Sequence, residues 1–267
     1  MAGVEPWWVI LGLLNLVLLL VSMIVFLPRG WLSRFTANVR YIMTGQLPWL
    51  GLIFAVVVLQ LVEVRFIDPL ATSVVGQDFT PVFVSFEDGA VRWFISQWNP
   101  TLLTIFVYIY IGIYPFLLWF TPLFFIITNQ RRAVKVFALS LLLIFVVALP
   151  FYLFLPITNV YTYYHEPSAL ETVIPSVNRF FYTTTTTNNC FPSLHVAMAL
   201  LIALCVSLTR HRRFQVFTAV IAAGVIMSVI YLGIHWITDV IGGTLIAVSV
   251  FFLVKHAVRG THDPTEP

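Results

Sequence analysis

The chain has 267 residues, 60% of them hydrophobic and 9% charged, and a formal net charge of +3. That balance, laid out in seven apolar runs of about 20 residues, excludes an ordinary soluble fold and predicts an all-α polytopic membrane bundle of six to seven spans. No basic arm or stripe accompanies the small positive charge, which excludes nucleic acid as a partner.

The apolar runs fall at 7–27, 47–66, 101–127, 134–155, 191–209, 214–233 and 236–254. The first is long and lacks both a basic leader and a small-residue cleavage site, so it reads as a membrane helix and not as a signal peptide. Between the second and third, Val91, Phe94, Ile95 and Trp98 recur at i, i+3, i+4 and i+7 while Arg92 and Gln97 face elsewhere. This spacing predicts a short amphipathic helix, either packed on the bundle or lying at the membrane surface. Pro115 and Pro122 in the third run predict a tilt, a kink or an early exit. The connection 156–190 carries Thr183 to Thr187, which read as a β-prone linker. A single helix over 214–254 would be ~60 Å long against a hydrocarbon core of ~30 Å, so the chain must turn inside it. Gly233, His235, Thr238 and Asp239 mark the place.

Nothing divides residues 1–267 into domains, so one integral-membrane domain is expected. Cys190 and Cys205 are 15 positions apart in one predicted helix, ~22 Å by the helical rise, and no disulfide is expected between them. Alternating the loops places Arg29, Arg34, Arg40, Arg131, Arg132, Lys135, Arg210, Arg212, Arg213, Lys255 and Arg259 on one side. Arg65, Arg92 and Arg179 lie on the other, 11 against 3 of the 14 cationic residues. Cytoplasmic loops carry the excess of Lys and Arg, so the N-terminus is expected outside and the C-terminus in the cytoplasm.

Against this background two polar signatures stand out, Phe191-Pro192-Ser193-Leu194-His195 and His235-Trp236-Ile237-Thr238-Asp239. The predicted topology puts both at the extracytoplasmic ends of their helices. Pro192 suits a first helical turn, so Ser193 and His195 should lie at a helix N-terminus, where free amides and the helix dipole favour a phosphate. His235 and Asp239 are an i, i+4 pair; the carboxylate can hold the Nδ1 proton and leave Nε2 free to attack phosphorus. His195 can then protonate the departing oxygen. Cations for the phosphate are sought in Arg179 first and Arg92 second. A metal site drawing on His165, Glu166 and Asp239 lacks ligand spacing, so no metal and no cofactor is expected. His211, His256 and His262 read as solvated bystanders. Intramembrane His and Asp also build proton relays, which makes a transporter the alternative.

The two signatures resemble the second and third motifs of the type-2 phosphatidic acid phosphatase superfamily, P-S-G-H and S-R-x5-H-x3-D. Here they read Pro192-Ser193-Leu194-His195 and Ser228-Val229-x5-His235-x3-Asp239. The resemblance covers roughly residues 100–255 in architecture. It implies His235 as the nucleophile that forms a phosphohistidine, Asp239 as its orienting partner, His195 as the acid and Ser193 as a phosphate ligand. Leu194 and Val229 depart from the pattern, and the first motif, K-x6-R-P, is absent. Phe191 to His195, with His235 to Gly243, is similar to inositol phosphorylceramide synthases, which pass a phospho-head-group to a lipid hydroxyl. The implied function is hydrolysis of a lipid phosphate or transfer of a phospho-head-group at the extracytoplasmic face. The expected partners are membrane lipids, a lipid phosphate or phospholipid substrate and a lipid alcohol acceptor.

Overall fold

The structure is a computed structural model that describes residues 6–87 and 89–259. Among these residues there is no strand, only an isolated parallel bridge between Ile157 and Asn189. Six helical stretches are long and apolar enough to cross a membrane: Trp7–Val25, Met43–Val75, Pro100–Ile127, Arg131–Phe154, Arg212–Tyr231 and Ile237–Val258. A seventh apolar helix, Leu194–Val206, has 13 residues and reaches only ~20 Å. The polytopic helical bundle expected from the apolar runs is therefore what forms.

Several boundaries differ from expectation. Helix α1 is Pro6–Val25, and α2 runs from Trp31 to Val62, because no proline interrupts residues 31–46 and the helix propagates through the polar stretch before the second apolar run. Gly30 at φ 72 marks its start. A π-helical segment, Glu63–Ile67, leads into α3, Asp68–Val75. Then follow α4, Thr80–Glu87, and α5, Ala90–Ser96. Val91 and Ile95 of α5 are buried while Arg92 and Gln97 are exposed, the sidedness the spacing predicts. The Trp98 indole N–H donates to the Tyr231 carbonyl at 2.8 Å, so this helix packs on the bundle.

The third apolar run divides into α6, Pro100–Val107, a π-helical segment Tyr108–Ile113, and α7, Tyr114–Ile127. The Tyr114 N–H bonds the Ile109 carbonyl five residues back, which widens the turn just before Pro115. In a regular helix the Pro115 ring would press on the Ile111 carbonyl, and the wide turn relieves that clash. Pro122, in contrast, is carried inside α7.

After α8, Arg131–Phe154, three short helices form a cap: α9, Val160–Tyr163, α10, Ala169–Val173, and α11, Asn178–Phe181. The central helix α12, Leu194–Val206, packs against α8, α13 (Arg212–Tyr231) and α14 (Ile237–Arg259). A Cβ on Gly243 would collide with the Ser193 carbonyl oxygen, and one on Gly242 would come within 2.6 Å of the Phe191 ring. Side-chain-free backbone at these two positions lets α14 lie against the start of α12. Both cysteines are buried and free.

Candidate active site

The turn between α13 and α14 is a C-terminal glycine cap. Gly233 adopts φ +68, its N–H bonds the Ile230 carbonyl at 3.0 Å, and the Ile234 N–H bonds the Val229 carbonyl at 3.0 Å. These paired bonds satisfy the last carbonyls of α13 and reverse the chain. The His235 N–H also reaches the Val229 carbonyl, at 3.0 Å. Val229 thus acts through its backbone, and its side chain is fully buried.

Helix α14 begins under two carboxylates. The Trp236 N–H donates to Asp239 Oδ2 at 2.8 Å, the reach-back of a capping box. The next two amides, Ile237 and Thr238, donate to Glu87 of α4 at 3.1 and 2.7 Å. Glu87 therefore occupies the anion-favouring end of α14. The corresponding end of α12 is open by comparison: Ser193 Oγ accepts from the Val196 N–H at 3.4 Å, and the amides of Leu194 and His195 have no backbone partner among the described residues. Ser193 is fully buried and serves as this cap.

Four polar side chains then line up. His235 Nδ1 lies 3.2 Å from Asp239 Oδ2, His235 Nε2 lies 3.3 Å from His195 Nδ1, and His195 Nε2 lies 2.9 Å from the Tyr110 hydroxyl. The Ser193 N–H bonds the Asp239 carbonyl at 3.1 Å, which ties the two signatures through their backbones as well. His195, His235 and Tyr110 line a cavity of about 290 Å³ whose other walls include Leu194, Met198, Phe181, Tyr114 and Tyr152. The remaining lining is mostly aliphatic and aromatic, with Gln60, Thr184, Thr185, Asn189 and Glu63 as further polar members.

Glu63 was not foreseen. It is 2% exposed, and its Oε1 accepts from Asn189 Nδ2 at 3.2 Å across 126 positions of sequence. The Thr183 to Thr187 stretch is a linker as expected, yet two of its residues reach the cavity wall.

Neither expected arginine lines the cavity. Arg92 is exposed, with its guanidinium 5.0 Å from the Tyr164 ring centroid. Arg179 is exposed on α11, whose neighbouring residues Phe180 and Phe181 do face the cavity. Cys190, His235 and Asp239, all buried, bring one potential metal-ligand atom each within 4.8 Å of one another. Two of those side chains are already bonded to each other, and the Cys190 thiol turns to the Ile234 carbonyl at 3.7 Å. Of this group's atoms Asp239 Oδ1 is buried without a partner among the described residues, and the other two side chains are engaged within the protein.

The family model of the PAP2 superfamily matches residues 82–253, more than half of the chain. The chain belongs to the PAP2 superfamily. The match spans α4 to α14 and includes both polar signatures, the Glu87 cap and the Tyr110 turn. Membership makes the protein a membrane-embedded enzyme of the phosphatase and phosphotransferase type that acts on lipids. No curated protein and no solved structure matches the chain.

Proposed function

We propose that this PAP2 superfamily member cleaves a lipid phosphoester through His235, at the extracytoplasmic face, without a metal. The observation that carries this reading is the Asp239–His235 pair at 3.2 Å, with Nε2 of His235 directed to His195 at the wall of an apolar cavity. An ionised Asp239 that accepts from Trp236 N–H and His235 Nδ1–H leaves a lone pair on His235 Nε2. That nitrogen attacks phosphorus, the ester P–O bond breaks, and the protonated form of His195 gives the departing oxygen its proton. The P–N bond of the phosphohistidine is then broken by water or by a lipid alcohol, whose proton returns to His195.

With no Lys or Arg among the described residues of the cavity wall, the free amides at the start of α12 and the protonated histidine are the groups that meet the phosphate charge. Arg179 adjoins through Phe180 and Phe181 and is the nearest cationic candidate in sequence. Leu194 faces the cavity where the superfamily pattern has glycine. An apolar wall beside the phosphorus disfavours water in the attacking position, which favours transfer to a lipid alcohol over hydrolysis.

The test is purified protein in detergent with phosphate-labelled lipids, with and without lipid alcohols. Label should move into a new phosphodiester when an alcohol is present, and His235→Ala should show no turnover and no acid-labile, alkali-stable phosphoenzyme. Activity should survive EDTA and be blocked by vanadate, a mimic of pentacoordinate phosphorus. Turnover by His235→Ala would overturn the nucleophile, and loss in EDTA with recovery on adding a divalent ion would overturn the metal-free chemistry.

A further inference from the structure

The hydrogen-bond chain reaches one residue beyond the two signatures, and that residue has no counterpart in either of them. Tyr110 sits in the π-helical segment Tyr108–Ile113, is 2% exposed, and places its hydroxyl 2.9 Å from His195 Nε2. Its ring centroid is 4.8 Å from that of His195, and Tyr114 on the same wide turn is 5.7 Å away. Leu14 of α1 packs where a Cβ on Gly112 would stand, so α1 closes against the back of this turn. Helix α1 thus backs the widening ahead of Pro115, which places Tyr110 against His195.

The direction of each proton follows from the Asp239 end. An ionised Asp239 already accepts from the Trp236 amide, so the bond to His235 must be Nδ1–H to Oδ2. A neutral His235 ring then has a bare Nε2. His195 Nδ1 at 3.3 Å must carry a proton, since two facing lone pairs would repel. A neutral His195 is then bare at Nε2, and the Tyr110 O–H donates to it. With Asp239 ionised, one tautomer set satisfies each of these contacts, and the Tyr110 hydroxyl fixes its far end.

We propose that Tyr110 is the positioning residue for His195, holding the imidazole so that Nδ1 faces His235 Nε2 and delivers its proton to the oxygen that departs opposite the attack. A hydroxyl suits this task throughout: it donates to a bare Nε2 in the resting neutral ring, and it accepts from Nε2–H both in the cation and in the neutral ring left when Nδ1 has given up its proton. Nδ1 stays aimed at the reaction throughout. Without the hydroxyl the ring is free to turn about its Cβ–Cγ bond, and the acid loses both its tautomer and its direction. This rests on the reading of His235 as nucleophile and His195 as acid.

The experiment compares Tyr110→Phe with the wild type on two labelled substrates, a lipid phosphoester with an alkoxide leaving group and an aryl phosphate whose leaving group needs no proton. Loss of an orienting hydrogen bond typically costs about 10- to 100-fold, below the roughly 10²- to 10⁴-fold of losing the acid itself. The lipid reaction should fall by about 10- to 100-fold in kcat while the aryl reaction stays within about threefold of wild type. Equal loss on both substrates, or no loss on either, overturns the proposal. To separate positioning from packing, 3,5-difluorotyrosine at position 110 keeps the ring and its neighbours but makes the hydroxyl more acidic; it should shift the pH profile of the lipid reaction, and an unshifted profile overturns the proposal. His235→Ala in parallel keeps the two readings apart: an active His235→Ala removes the proposed mechanism, whereas an inert one beside an unaffected Tyr110→Phe removes only the role of Tyr110.

Discussion

One oxygen of Asp239 accepts two hydrogen bonds, from the Trp236 amide at 2.8 Å and from His235 Nδ1 at 3.2 Å. The first bond belongs to folding and the second to the proposed chemistry, so a substitution can separate them. Asp239→Asn can keep an oxygen at the Oδ2 position for both donors, but it removes the negative charge that stabilises the imidazolium of the phosphohistidine. Turnover should fall by roughly 10⁴-fold, as for the equivalent change in a serine-protease triad, while the thermal midpoint in detergent moves by only a few degrees. Comparable turnover of the variant and wild type would remove Asp239 from the mechanism. His195, His235 and Asp239 were legible in the sequence because ionisable groups are scarce in an apolar chain and sit at fixed spacing. Tyr110 and Glu63 were not: an aromatic residue in an apolar run carries no local signal, and the partners lie 85 and 126 positions away. The expectation of Arg179 or Arg92 at the site rests on the basic residues that the family pattern has and this chain lacks, and on the loop topology, neither of which can see that helix amides offer the same complement to an anion.

At the scale of elements, α14 is set in place by Glu87, a residue on a helix that precedes it by 150 positions. Its carboxylate takes the Ile237 and Thr238 amides, which would otherwise be unpaired at a helix N-terminus. Glu87→Ala should lower stability by about 1–2 kcal/mol, the range for a lost N-terminal cap. Because His235 lies two residues before the start of α14, turnover should also fall, and Glu87→Gln should recover most of the stability. A thermal midpoint unchanged in Glu87→Ala would show that water serves the amides equally well. The turn itself was readable, since 41 residues of helix overrun the membrane and Gly233 offers the left-handed backbone the reversal needs. The cap was invisible because α4 is short and its spacing gives no hint of where it docks. Two π-helical segments were likewise unreadable as such, although Pro115 did signal an irregularity in the third run and the widened turn lies immediately before it.

For the whole molecule, the distribution of cations predicts which end faces the cytoplasm. The polar chain lies where α12 begins and where the chain turns into α14, whereas Arg212 and Arg213 lie at the start of α13. If the bias of Lys and Arg sets the orientation, the histidine end faces outward and the Arg212 end faces the cytoplasm. The native cysteines give a quiet background for testing this, because Cys190 and Cys205 are both buried. Single cysteines at two exposed positions, Arg213→Cys and Glu171→Cys, should therefore report alone. In intact cells a membrane-impermeant maleimide should label position 171 and spare position 213, and permeabilisation should expose both. The reverse pattern would turn the cavity toward the cytoplasm and give the enzyme access to inner-leaflet lipids, leaving the Asp239–His235–His195–Tyr110 geometry intact but changing the pool of substrates it meets.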